Sequence, residues 1–235
     1  MTAAAQERRQ RIALLAILAF GSWMLWQSYY GSLLLYPFTI LSTWFHEMGH
    51  GLAALLMGAS FDRLVIYPDG SGVALIYRRS DTPSIVDAIV AAGGPLGPPL
   101  AGALLILASR THRATTVGLA MLAGALILSS LVWVRSPVGL LILPLIAFAL
   151  ILVTRRGSEQ LRSFTIQFLG VQACISTWRQ TGYLFSQGGV IGGTQQQSDT
   201  QAIASALFLP YWFWASCITL LIVALLRWSF RKALG

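Results

Sequence analysis

The chain has 235 residues, of which 56% are hydrophobic and only 10% charged, whereas a water-soluble domain carries about a quarter of its residues as charged side chains. That balance excludes an ordinary cytosolic protein, and it excludes disorder, which needs low hydrophobicity and high charge. The net charge of +8 sits mostly between apolar runs, where basic side chains face phospholipid headgroups and anchor helix ends rather than nucleic acid. The expected fold class is an all-α polytopic membrane protein in one domain, residues 1–235, with six to seven transmembrane helices and one membrane-associated β-hairpin.

Residues 12–45 carry no charge. Since a span takes about 20 apolar residues, this stretch predicts a first helix, a break at Tyr29-Tyr30-Gly31-Ser32, and the start of a second helix. Ahead of it, Glu7-Arg8-Arg9-Gln10-Arg11 resembles the charged part of a signal peptide. No small-x-small cleavage site follows, so an uncleaved first helix with a cytoplasmic N-terminus is expected.

The second helix, about residues 33–58, contains His46-Glu47-Met48-Gly49-His50. His-Glu-x-x-His puts two imidazoles at i and i+4, on one helix face and close enough to share a metal ion, with Glu47 beside them as a general base. Ionisable residues at mid-helix cost about 2.5 to 3.5 kcal/mol each on insertion scales and usually face a cavity or a partner. Three within one turn therefore point to a metal site. Imidazole with carboxylate suits zinc, and the spacing is a zinc hydrolase signature.

Residues 61–79 read as two β-prone runs around Pro68-Asp69-Gly70-Ser71-Gly72, which predicts a hairpin. A helix over about residues 84–108 follows, carrying Ala92-Gly93-Gly94-Pro95-Leu96-Gly97-Pro98, whose small residues allow close helix approach. Gly49 and Gly51 are expected to serve the same approach from the other side. Accessory helices are expected over about residues 114–185. Within them Gln167, Gln172, Arg179 and Gln180 interrupt the apolar pattern, and either line an aqueous path or mark an interfacial helix. The stretch from Gln187, with four glycines in six positions, reads as an irregular loop. It leads past Asp199 into a last helix, so that loop and helix together occupy about residues 187–228, with Tyr211, Trp212 and Trp214 as interfacial aromatics. Cys174 and Cys217 read as small buried hydrophobes.

A catalytic zinc usually takes three protein ligands and leaves a fourth position to water. Glu7, Asp62, Asp69 and Asp81 belong to the tail or the hairpin region, and His112 to a basic connector. The residues alone leave Asp87, Glu159 and Asp199 open as the third ligand.

His46-Glu47-Met48-Gly49-His50, the hairpin, the Ala-Gly-Gly-Pro helix and Ser198-Asp199-Thr200, in that order, resemble the site-2 proteases, zinc metalloproteases that cut peptide bonds within or near the membrane. The usual Asn-Pro-x-Asp-Gly or Leu-Asp-Gly motif is missing, and the chain has no Asn. Ser198-Asp199 looks like the compact subgroup in which Ser-Asp replaces it. The resemblance implies zinc on His46, His50 and Asp199, with Glu47 as the catalytic base. It also implies a membrane protein substrate, and the expected setting is the cell membrane of a prokaryote or an organelle membrane. The hairpin either offers a strand edge that holds a substrate extended by strand addition or is a plain structural hairpin at the interface. The rivals are a non-proteolytic zinc-binding scaffold or transporter, and a membrane zinc protease acting on soluble peptides.

Overall fold

Residues 3–234 are described by a computed structural model; residues 1, 2 and 235, the ends of the expected domain, lie outside the described residues. The chain runs α1 (Ala3–Trp26), α2 (Tyr29–Leu34), α3 (Tyr36–Leu56), β1 (Ser60–Ile66), β2 (Gly72–Tyr77), α4 (Ser84–Ala108) and α5 (His112–Val132). It continues through α6 (Pro137–Arg156), α7 (Glu159–Arg179), α8 (Thr181–Leu184), β3 (Gly188–Ile191), β4 (Thr194–Gln197), α9 (Asp199–Ala206) and α10 (Tyr211–Leu234). Helix starts are set by side chains that accept otherwise orphaned N–H groups. Ser28 accepts from Gly31, Thr111 from Ala114, Ser158 from Leu161 and Ser198 from Gln201. The break after α1 accordingly falls at Gln27-Ser28, and the expected breaker Tyr29-Tyr30-Gly31-Ser32 is itself the short helix α2.

Helix α4 lies at the centre, packed on α3, α7, α9 and α10. Between helices in lipid there is little hydrophobic driving force, so association rests on close van der Waals contact. Glycines supply it. A methyl group on Gly49 would collide with the Gly93 carbonyl, one on Gly97 with the Phe45 carbonyl, and one on Gly102 would lie 3.0 Å from the Gly170 carbonyl of α7. Gly51 does not join this seam: the space beside it is filled by the Phe61 ring of β1. The main core joins α3, β1, α5, α6 and α7 around Ile40, Leu64, Leu119, Leu126, Leu143 and Ile166, all fully buried.

β1 and β2 form an antiparallel hairpin with Ile66 opposite Gly72 and Leu64 opposite Ala74. Its tip is fastened to α3, where the Tyr36 hydroxyl donates to the Pro68 carbonyl (2.8 Å) and the Thr43 hydroxyl to the Gly70 carbonyl. The outer edge of β1 is covered: Leu64 N–H donates to Trp133 O (2.8 Å), Arg135 N–H donates to Leu64 O (2.9 Å), and Ile66 N–H donates to Ser136 Oγ (3.0 Å).

The stretch expected as an irregular loop is a second hairpin, β3 paired antiparallel with β4. Gly192 and Gly193 have φ of 57° and 80°. Such left-handed backbone is what a two-residue hairpin turn requires, so the glycines nucleate strand pairing instead of opposing it.

Helices α4, α5, α6 and α10 are long and apolar enough to cross a membrane. α3 carries the site residues and α7 its glutamines, and neither meets that measure among the described residues. Large apolar side chains such as Leu131, Leu141, Leu145 and Leu220 are exposed on the outer faces of the bundle, the arrangement expected where lipid is the solvent. Cys217 on α10 is exposed rather than buried, because α10 runs along the periphery, and both cysteines are free. Gln172 and Arg179 tie α7 to α1: Gln172 Nε2 donates to Ser22 Oγ (3.0 Å), and the Arg179 guanidinium stacks 3.7 Å from the Trp26 ring centroid.

Candidate metal centre

One turn of α3 turns His46, Glu47 and His50 toward a cavity of about 760 Å³, and α9 brings Asp199 to the same place from far along the chain. His46 Nε2 lies 3.1 Å from Asp199 Oδ2, His50 Nε2 lies 3.2 Å from Asp199 Oδ1, and the two Nε2 atoms are 3.2 Å apart. Each of these three side chains is 13% exposed, enough shelter to strengthen every charge interaction among them.

The far side of each ring decides the chemistry of the near side. His50 Nδ1 is 2.8 Å from the Val90 carbonyl of α4, which can only accept, so the proton of a neutral ring sits on Nδ1 and Nε2 presents a lone pair. His46 Nδ1 is 3.1 Å from Gln180 Oε1, which accepts the Nδ1 proton when the ring takes the same tautomer. Two lone pairs and a carboxylate then meet at one point. Asp199 Oδ2 is buried and receives no hydrogen bond although His46 Nε2 is beside it. Two imidazole nitrogens and a carboxylate facing one another at this spacing make a place for a cation, and two imidazoles with one carboxylate form a donor set that suits zinc. The residues present therefore fit the metal that the sequence pattern implies.

The structure brings together His46, His50 and Asp199. Asp87, an alternative third ligand by sequence, lines the same cavity but is paired with Arg78. Glu159 is exposed and 3.4 Å from His112, remote from the cluster. Glu47 is buried, with Gly72 of β2 against its side chain and the Ala74 backbone amide beside its carboxylate.

Two supports escaped the sequence reading. Gln180 stood only among the polar interruptions between Gln167 and Gln180, and nothing in its spacing ties it to His46. Val90 acts through a backbone carbonyl, which no side-chain motif records. Partners of this kind hold a ligating imidazole in orientation, and their loss typically costs 10- to 100-fold in metal affinity. Gln180→Ala is expected to weaken metal binding by about 10- to 100-fold, read by competition with a fluorescent chelator; unchanged affinity would show that Gln180 does not position His46.

Gly94 of α4 faces the rings, and a methyl group there would run into His50 Nε2 and stand 2.7 Å from His46 Nε2. Gly94→Ala favours the helix by propensity yet fills the point where the ligands converge. Its expected result is retained expression with metal content lowered more than about tenfold, measured by mass spectrometry of the purified protein.

A family model described as Peptidase M50B-like matches residues 12–229. Comparisons with curated proteins and with solved structures give no match. The match runs from α1 into α10 and takes in both hairpins and His46, Glu47, His50 and Asp199, so the chain belongs to the Peptidase M50B-like family, a site-2 protease family of membrane-embedded metalloproteases.

Proposed function

We propose that the protein is an intramembrane zinc metalloendopeptidase that hydrolyses peptide bonds of membrane protein substrates. The observation that supports this most directly is the meeting of two imidazole lone pairs and a buried carboxylate beside the unligated carboxylate of Glu47. His46, His50 and Asp199 would hold the ion. A zinc ion bound there supplies Lewis acidity, lowering the pKa of water to about 7 and polarising a carbonyl oxygen.

The chain's own residues do the rest. Glu47 accepts a proton from the attacking water and later delivers it to the amine nitrogen of the leaving segment. Gln180 and Val90 keep the imidazoles oriented. The open edge of β2 supplies the substrate site. Tyr67 N–H bonds to Ser71 O, so the alternation of an antiparallel ladder turns the N–H and C=O groups of Gly72 and Ala74 outward, where the Ala74 N–H meets the Glu47 carboxylate and the Gly72 groups and the Ala74 C=O are left for a substrate strand. Both residues line the cavity. A helical substrate hides its peptide bonds in its own hydrogen-bond ladder, and strand addition at this edge would hold a stretch of it extended within reach of Glu47.

In this reading six to seven segments cross the bilayer, with α3 and α7 spanning although they carry polar side chains, because those side chains face the cavity and neighbouring helices. The setting is the cell membrane of a prokaryote or an organelle membrane, and the partners are a membrane protein substrate and the lipid itself. The test is zinc analysis of the purified protein, together with cleavage of a co-expressed single-span substrate with and without a membrane-permeant chelator. One zinc per chain and chelator-sensitive cleavage are expected; a chain that binds no zinc, or cleaves equally well when stripped of it, overturns the reading.

A further inference from the structure

The second hairpin stands at the mouth of the cavity, and its strand β4 runs straight into Ser198 and Asp199. Its hydrogen-bond phase follows from its turn. With Gly192 and Gly193 as a two-residue turn, Ile191 and Thr194 form the first hydrogen-bonded pair. Every second pair then bonds in the same way, and the 3.1 Å bond from Ser198 N–H to Gln187 O falls in that phase. Val190, opposite Gln195, therefore turns its N–H and C=O away from β4.

The two outer edges of this hairpin differ. On the β4 side the Gln197 carbonyl is taken by the Tyr183 hydroxyl at 3.0 Å. On the β3 side Val190 is exposed, and among the described residues no loop or cap bonds to its backbone. Gly189, Val190 and Ile191 all line the cavity. Gln196 and Gln197 of β4 line it as well, so this hairpin borders the cavity with both strands, and the unbonded backbone at Val190 lies on that border. From the other wall the lining comes from Gly72, Val73, Ala74 and Ile76 of β2 and from no residue of β1, so there the edge strand itself meets the cavity. The hairpins touch where Gly192 lies against the Tyr67 ring.

We propose that the cavity is a two-edged slot, in which an extended segment of the substrate polypeptide pairs with β2 through Gly72 and the Ala74 carbonyl and with β3 through Val190 at the same time. The slot rests on the metalloprotease reading and deepens it. An extended chain points its N–H and C=O groups alternately to either side, so neighbouring substrate residues bond to opposite walls. Recognition is then by main chain, and the segment drawn out of a helix finds partners for its backbone groups in a setting where unpaired ones are costly. Because β4 leads directly into Asp199, the wall formed by this hairpin is held in register with the metal ligands.

Two hydroxamates test this on the wild-type protein: acetohydroxamate, which reads the metal alone, and acetyl-tetraalanine hydroxamate, which reads metal and slot together. In a scan of single N-methylations along the peptide, a slot with one edge tolerates the change at every second residue, because those N–H groups bond to nothing. The two-edged slot predicts that methylation at either of two adjacent residues weakens binding, by about three- to tenfold each. Val190→Pro removes the outward N–H while sparing the β3–β4 ladder. It is expected to weaken the peptide hydroxamate by a similar factor and leave acetohydroxamate binding unchanged, whereas Val190→Ala, which keeps the N–H, changes neither. Tolerance at alternate positions, or a Val190→Pro variant that binds the peptide as wild type does, overturns the slot and leaves the metal reading standing. Failure of acetohydroxamate to bind the zinc-loaded wild type overturns the metal reading, and the slot with it.

Discussion

Glu47→Gln is expected to keep one zinc per chain and to lose substrate cleavage by at least about 10²- to 10⁴-fold, the usual contribution of a positioned general base. The amide has nearly the same shape as the carboxylate, so the packing of this side chain against Gly72 is preserved. It has no basic oxygen to take a proton from water. Glu47 stands outside the group formed by His46, His50 and Asp199, so a change there does not remove a donor from the ion. Zinc analysis and cleavage of a co-expressed single-span substrate are measured on the same preparation. Loss of zinc along with activity would make Glu47 a ligand, and undiminished cleavage would remove it from the mechanism. The same pair of measurements separates a protease from a scaffold or transporter, because metal binding alone does not need this carboxylate.

Asp199→Ala is expected to lose both metal and cleavage. The substitution leaves two Nε2 lone pairs 3.2 Å apart with no negative charge to complete the set. Removal of a direct ligand should cost more than the 10- to 100-fold seen when a supporting hydrogen bond is lost. Asp199 occupies the first turn of α9, but the cap of that helix is Ser198, whose hydroxyl accepts from Gln201 N–H (3.2 Å). The helix start therefore survives the change, and the effect falls on the metal. Asp87→Ala and Glu159→Ala serve as comparisons, since Asp87 is paired with Arg78 and Glu159 lies near His112; both should retain zinc. Full zinc occupancy in Asp199→Ala, or its loss in either comparison, would reassign the third ligand.

How far the sequence could be read depends on the span over which each feature is decided. His46, Glu47 and His50 lie within one helical turn, so their convergence follows from the 3.6-residue period alone. The first hairpin is announced by Pro68-Asp69-Gly70-Ser71-Gly72 between two β-prone runs, again a local matter. The second hairpin had an equally local signal. Gly192-Gly193 sits between Val190-Ile191 and Thr194-Gln195, but density of glycine around it suggested irregular chain. What mattered was the placing of two glycines at the turn, where their positive φ is used. Gly51 shows the opposite limit: it belongs to the same run as Gly49 and would be assigned the same neighbour, yet it faces Phe61. Successive odd positions on a helix look in different directions, and only packing says what lies there.

By itself the sequence determined the class of molecule, because so few charges leave lipid as the solvent. It also marked where the candidate site lies, because three ionisable residues on one turn of an apolar helix stand out against so few charges. Only the tertiary structure decided that Asp199, among acids with equal claims from the residues alone, completes the group. It alone supplied the Gln180 amide and the Val90 carbonyl that meet the far side of the imidazoles, and the two hairpins that border the cavity. The physical reason is that each of these joins segments distant in the chain, through a backbone group or a helix crossing. Such contacts are set by how α4 and its glycines let the helices close on one another, and no spacing along the chain encodes them.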